Sequence, residues 1–338
     1  MRLVSLTQLS SLRQMMSCRW SNHCGLTALL CCLVFLISLK RAHAQDSTMI
    51  IDEKRFTLSE VVVRNNLDYK MLLDRIKADT SFYKAFKTLR ILGFSSYNNI
   101  QMMDKKGKVV ASMQSKTRQN HDGRCRTMDV LEETITGDFY DSDGDYNYTT
   151  PELYASLFFT KGTICGETNI VGGQRKGKGG KKGIEKHKEQ LKMLFFNPGK
   201  KISGIPFIGD KLDLYDESAH KYYQYRLDIE EYKGELCYVF SITPKDDLGF
   251  LKNDRIVVDQ MVTWFNMKTM NVMGRNYSLS YKAGVYDFDV SMEVEMVNLG
   301  NDIIVPKTLR YKGNWDVIFK KRERAIFTAT LFDFKRMY

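Results

Sequence analysis

The chain has 338 residues and a formal charge of +11, with 51 Lys and Arg against 40 Asp and Glu. That length is enough for one large domain or two small ones, and enough to bury a core. The basicity is local, since ten Lys and Arg stand between Gly172 and Lys201 against Glu185 and Glu189; in the Gly/Lys stretch at 172–183 no aromatic residues interleave with the lysines to stack bases, which argues against nucleic acid as the partner.

Arg2, Arg13 and Arg19 precede an uncharged run over residues 20–39, whose core from 26 to 39 is almost wholly apolar. Lys40-Arg41 follow, then Ala42-His43-Ala44. Small residues at the first and third places before a cut suit signal peptidase, so residues 1–44 are predicted to be a cleavable secretory signal with Gln45 as the mature N-terminus. The apolar core is shorter than the roughly 20 residues a spanning helix needs. A retained signal-anchor is the competing reading, because Lys40-Arg41 sit so near the cut. Cleavage takes five basic residues and no acid, leaving 294 residues at +6, and it removes Cys18, Cys24, Cys31 and Cys32. In an oxidising compartment Cys125 and Cys165, both near predicted strand ends, are the expected disulfide pair. Three buried or reduced thiols are the alternative, and Cys237 inside a strand pattern reads as core.

Residues 45–65 read as an N-terminal extension with a short strand at 56–63, and residues 66–338 as a single domain. Leu67, Met71, Leu72 and Ile76, then Phe82, Tyr83, Phe86 and Leu89, recur at helical spacing and predict two amphipathic helices. Strands at 97–103 and 109–117 flank Asp104-Lys105-Lys106-Gly107, a hairpin signal, and another strand is predicted over 127–140. Thr149-Thr150-Pro151-Glu152 offers a capping box with proline in the first turn, opening a helix through Phe159. A further helix over 184–196 is stopped by Asn197-Pro198-Gly199.

Two motifs in this half resemble ligand loops. Asp141, Asp143 and Asp145, with Glu152 at the twelfth place, have the oxygen-ligand spacing of a calcium loop, but Tyr146 stands where the loop needs glycine. A plain acidic turn leading into the helix is the preferred reading, with calcium as the possible cofactor. Gly172 to Gly179 nearly spells a phosphate-binding loop, yet Gly179 occupies the place of the magnesium-binding hydroxyl. The Gly/Lys stretch at 172–183 reads instead as a flexible, solvated loop, or as a contact for acidic head groups.

From Gly204 onward the period is two almost to the end. Tyr286, Phe288, Val290, Met292, Val294 and Met296 share one face; Asp287, Asp289, Ser291, Glu293 and Glu295 share the other. Such alternation means a strand with one wet face. Six or more strands of this kind, joined by turns such as Lys233-Gly234 and Lys282-Ala283-Gly284, imply an antiparallel meander whose apolar face the preceding helices must cover. The predicted class is α+β, a strongly curved antiparallel β-sheet or incomplete β-barrel with helices covering the concave face.

These strands carry a family resemblance. Tyr222-Tyr223-Gln224-Tyr225-Arg226-Leu227, followed by Gly234-Glu235-Leu236-Cys237-Tyr238-Val239-Phe240-Ser241-Ile242-Thr243-Pro244-Lys245, resembles the strand pair of the outer-membrane lipoprotein-sorting (lipoprotein carrier-like) proteins of diderm bacteria. Val262-Thr263-Trp264-Phe265-Asn266-Met267-Lys268-Thr269-Met270 is similar to the next strand, and Val305-Pro306-Lys307 to a later one that begins with proline. The resemblance covers residues 201–334. Separately, Leu58-Ser59-Glu60-Val61-Val62-Val63 looks like the segment after carboxypeptidase-like regulatory domains in diderm outer-membrane proteins.

The family implies a half-barrel with a helical lid around an apolar cavity for acyl chains, with lipid or a lipidated protein as partner, in the periplasm or at the outer-membrane periphery. On that reading the ligand-facing residues include Tyr223, Tyr225, Tyr286, Phe288, Met292 and Met296; ordinary core is their other reading. The expected function is therefore non-enzymatic binding or carriage. Two alternatives stand beside it: a small integral outer-membrane β-barrel, suggested by Phe332, Phe334 and Tyr338, and a hydrolase with dispersed catalytic residues. No catalytic residue is assigned, since His121, His187 and His220 lack the spacing of a helical zinc pair and no G-x-S-x-G elbow occurs.

Overall fold

A computed structural model describes residues 48–51, 54–57, 76, 78–170, 192–193, 198–202, 208–249, 255–283, 286–301, 303–316 and 322–336. The predicted signal, the strand residues 58–63, most of the first amphipathic helix, the Gly/Lys loop and most of the helix at 184–196 lie outside these. The chain divides into two compact units, Met1–Ser59 and Glu60–Tyr338. In the first, β1 (Thr48–Ile51) and β2 (Lys54–Thr57) form an antiparallel pair in which Thr48 faces Thr57.

The second unit is built on one open antiparallel sheet. Its strands are β3 (Gly93–Met103), β4 (Val109–His121), β5 (Cys125–Thr136), β6 (Ile164–Cys165), β7 (Tyr223–Tyr232), β8 (Glu235–Pro244), β9 (Val258–Asn266), β10 (Val272–Ala283), β11 (Tyr286–Asn298), β12 (Ile304–Asp316) and β13 (Glu323–Lys335). They lie in the order β6-β5-β4-β3-β13-β12-β11-β10-β9-β8-β7, so β6 and β7 are its ends. The two consecutive meanders, β3 to β6 and β7 to β13, meet where the last strand pairs with the first, Phe327 opposite Ile100.

Register makes the core continuous. Directly paired residues trace one apolar row across eight strands: Met113, Ile100, Phe327, Tyr311, Met292, Tyr277, Met261 and Ile242, each no more than 4% exposed. Because side chains alternate with period two, every strand must hold its pairing to keep this row on one side. The alternation predicted for β11 is present: Val290, Met292, Val294 and Met296 are buried while Asp289 and Glu293 are exposed. Lys233 and Gly234 both take positive φ, 56° and 81°, the mirror-image turn that suits the twist of paired strands. Pro306 is tolerated inside β12 because it sits opposite Met296 at a register shift, where the ladder is already interrupted.

Two helices pack on the buried face. In α1 (Ser81–Thr88), Phe82, Ala85 and Phe86 are buried against β12, and the Arg275 guanidinium lies 4.4 Å from the Phe82 ring centre. In α2 (Thr149–Phe158), Tyr154 stacks edge-on to Phe327 at 4.9 Å and donates its hydroxyl to Asn98 Oδ1 at 2.7 Å. Phe86 and Phe158 join the two helices at 6.4 Å.

Two sequence expectations are corrected. The strand predicted to reach Tyr140 stops at Thr136, because Gly137 turns the chain with φ 64° so close to Val110 that a Cβ would lie 2.0 Å from its carbonyl oxygen. The capping box at Thr149 does not form either: Tyr148 is the N-cap and gives no side-chain cap hydrogen bond. The N–H groups of Thr149 and Thr150 donate instead to Glu323 on β13, at 2.7 and 2.8 Å.

Gly313 shows how tightly the buried face is filled. A Cβ there would lie 1.9 Å from the Tyr311 hydroxyl, and the Tyr311 ring is itself held against Phe327 at 4.6 Å. Gly313→Ala is expected to lower stability by about 1–3 kcal/mol through overpacking, measurable by urea unfolding; a change within about 0.5 kcal/mol would mean the ring moves freely.

Candidate functional site

The candidate site is a recess at the end of the sheet where β8 begins, β9 and β11 end, and β10 and β12 begin. It has a volume of about 260 Å³ and is lined by Glu235, Asn266, Lys268, Thr269, Asn271, Val272, Met273, Met296, Asn298 and Ile304. Its floor is the buried apolar face itself, through Val272, Met296 and Ile304. Met273 joins the lining because the β9–β10 register shifts between Val272 and Gly274, which leaves Met273 as the extra residue of a bulge.

Asn266 builds the polar rim. Its Oδ1 accepts the N–H groups of Lys268 and Thr269, each at 3.0 Å, while its Nδ2 donates to Glu235 Oε2 at 3.4 Å. The backbone closes beneath it, Asn266 N–H to Asn271 O at 2.9 Å and Met270 N–H to Asn266 O at 2.8 Å. One short side chain therefore fixes the turn that carries Lys268 and Thr269 and orients the Glu235 carboxylate. The recess joins an apolar floor to a rim of amides, one carboxylate, one ammonium and one hydroxyl. That arrangement suits a ligand with an apolar body and a polar end, although its volume lies just below the ~300–1,000 Å³ usual for small-molecule sites.

Of the six residues predicted to face a ligand, Met296 lines this recess and the others lie elsewhere. Tyr223 is buried, its hydroxyl accepts the N–H of Val258 at 3.2 Å, and burial pushes its phenol up to about 12. Tyr225, half-buried, donates to Leu214 O at 2.6 Å. Met292 Sδ accepts the Tyr277 hydroxyl at 3.2 Å inside the filled row. Phe288 packs 6.3 Å from Tyr281. Tyr286 pairs its backbone with Ala283, and its side chain lies outside the described residues. Burial likewise pushes the phenols of Tyr154, Tyr277 and Tyr311 upward, so this face carries neutral hydroxyls.

A second, smaller cleft of about 20 Å³ lies between α2 and the sheet, lined by Thr150, Leu153, Tyr154, Leu157, Tyr311, Trp315 and Phe327. The polar residues of the larger recess were missed in the sequence because the resemblance carries the strand on to Met270, whereas β9 ends at Asn266 and the chain turns there. Glu235, Asn298 and Ile304 reach it from other hairpins.

The structure joins Cys125 and Cys165 by a disulfide, S–S 2.00 Å, across the first pair of β5 and β6. Cys237 is a buried free thiol that burial pushes up to about 11. In the acidic turn, Asp141 Oδ1 accepts the N–H groups of Asp143 and Asp145, at 3.0 and 2.9 Å, and Tyr140 and Tyr146 bridge across the loop. Among the described residues no three His, Cys, Asp or Glu are grouped to hold a metal ion. Also among these residues, no helix is long and apolar enough to cross a membrane.

Fold and recess together define an open antiparallel sheet with helices on its apolar face and a polar-rimmed recess at one end. No family model matches the chain, and neither does any curated protein. Among solved structures it is similar to a DUF1329 family protein from Desulfovibrio piger, at 11% identity and a TM-score of 0.24 over 77% of this chain and 92% of that one. It is also similar to a domain described as an outer membrane lipoprotein-sorting protein from Vibrio parahaemolyticus, at 9% identity and a TM-score of 0.28 over the same shares. Superpositions this loose carry no argument about function.

Proposed function

We propose that this is an exported, non-enzymatic binding protein of the periplasm or outer-membrane periphery that seats an acyl chain or similar amphiphile in the recess at the β8–β12 end of the sheet. The observation that carries the reading is the recess, in which the buried apolar face of Val272, Met296 and Ile304 opens directly onto a polar rim. An acyl chain would extend the apolar row, while its polar end met Glu235, Asn266 and Lys268. The family resemblance of the strands from 201 to 334 points the same way, toward a curved half-barrel whose concave face is covered by helices. The basic stretch at 172–183 is assigned to acidic head groups on the same reading. An integral barrel is disfavoured because the described strands leave β6 and β7 as free ends, whereas a membrane barrel must close.

Native mass spectrometry of the protein purified from membranes is expected to show co-purified lipid, and a consistently clean apo mass counts against the reading. Met296→Trp is expected to fill the recess and weaken binding of a fluorescent fatty acid at least about ten-fold, with urea unfolding as the check that any core strain stays within about 1–3 kcal/mol. Unchanged affinity would place the ligand elsewhere.

A further inference from the structure

We propose that the free edge of β5 is a docking edge for an extended, basic segment of a partner protein, taken up by strand addition. Only the first two residues of β5 are covered among the described residues, Cys125 and Arg126 pairing with Cys165 and Ile164 of β6. From Thr127 to Thr136 the strand pairs with β4 on one side, and no described strand pairs with its other side. Main-chain groups along such an edge are a template for one more strand.

Three further observations select the occupant. Val130 and Leu131 are 59% and 41% exposed, at a register shift where Lys116 faces Glu132 and Thr117 faces Val130. They offer apolar purchase that a merely protected edge has no need of. The charge has one sign: no Lys, Arg or His stands between Arg126 and Lys161, whereas Asp129, Glu132 and Glu133 on the strand are followed by four aspartates within residues 138–145. The nearest cation of β4, Lys116, reaches Glu132 only at 3.8 Å. A second copy pairing through the same edge would set acids against acids, which is destabilising across a strand pair. The opposite edge, β7, also carries three acids, Asp228, Glu230 and Glu231, but Arg226 there pairs with Asp228 at 2.7 Å and Lys221 and Lys233 flank the strand.

The test is fluorescence anisotropy of the full chain with a labelled ten-residue peptide of alternating Val and Lys, beside the same peptide methylated on alternate backbone nitrogens. Methylation keeps the charge and removes main-chain donors, so binding at least about ten-fold weaker is expected for the methylated peptide. Glu132→Lys combined with Glu133→Lys, both exposed positions, is expected to weaken the parent peptide similarly and to leave the melting temperature unchanged. Equal affinity of the two peptides would overturn strand addition in favour of charge alone. Absence of saturable binding would overturn the docking edge itself. Self-association in light scattering that those two substitutions enhance would assign the edge to a second copy.

Discussion

Replacing Glu323 by Ala is expected to cost about 3 kcal/mol and to release the N-terminal end of α2 from the sheet. The carboxylate is 9% exposed and accepts three hydrogen bonds from one helix start, from Thr149 N–H at 2.7 Å, Thr150 N–H at 2.8 Å and the Thr150 hydroxyl at 2.7 Å. The Thr150 oxygen in turn accepts the indole N–H of Trp315 at 3.0 Å. Alanine would leave two backbone donors unsatisfied in a buried place and remove a negative charge from the positive end of the helix. Glu323→Gln, which keeps one carbonyl acceptor, is expected to lose roughly half as much. Thermal melting should fall by roughly 6–12 °C for the Ala variant. Trp315 emission should move to the red as its surroundings open. A melting point within a degree of the parent would show that α2 is held by its apolar contacts alone.

The second large effect is expected on loss of the Cys125–Cys165 bond. The two residues are 40 apart in sequence, so opening the bridge restores about 4 kcal/mol of chain entropy to the unfolded state. Locally, β6 is only two residues long and has little else to hold it. The return segment behind it is tied by ion pairs, Glu167 meeting Arg90 at 3.2 Å and Arg126 at 2.5 Å. Arg126 also donates to Gln119 Oε1 at 3.1 Å, and Gln119 Nε2 donates to the carbonyls of Leu89 and Leu92, each at 2.7 Å. The double variant Cys125→Ser, Cys165→Ser should therefore lose urea stability and gain amide exchange first at residues 164–170. Alkylation supplies a separate check, because Cys237 is buried with a raised pKa and is expected to stay unmodified until the sheet unfolds. Rapid labelling of Cys237 in the native protein would contradict this packing.

Much of the sheet was legible in the sequence because a half-buried strand writes its burial into every second residue. Met292, Val294 and Met296 announced their face, and Lys233-Gly234 announced its turn. The predicted hairpin around Asp104 to Gly107 became β3 and β4 at nearly the expected positions, both longer than the pattern showed. Their inner faces carry Ser96, Asn98 and Thr117, which satisfy one another by hydrogen bonds and so look polar in sequence while being buried.

The candidate site was legible only through Met296. The period of the strands, the side each presents inward, the turn chemistry and the concentration of charge are all readable along the chain, because each follows from neighbours within a few residues. Which strands become neighbours could be settled only by the packed fold: that β13 closes against β3, that Glu323 caps a helix 173 residues away, that five strand ends meet as a recess and that no described strand covers the outer side of β5 beyond Arg126. Each of those depends on which strands become neighbours. Pairing partners are chosen by the joint burial of a whole apolar row, a quantity that no single segment contains.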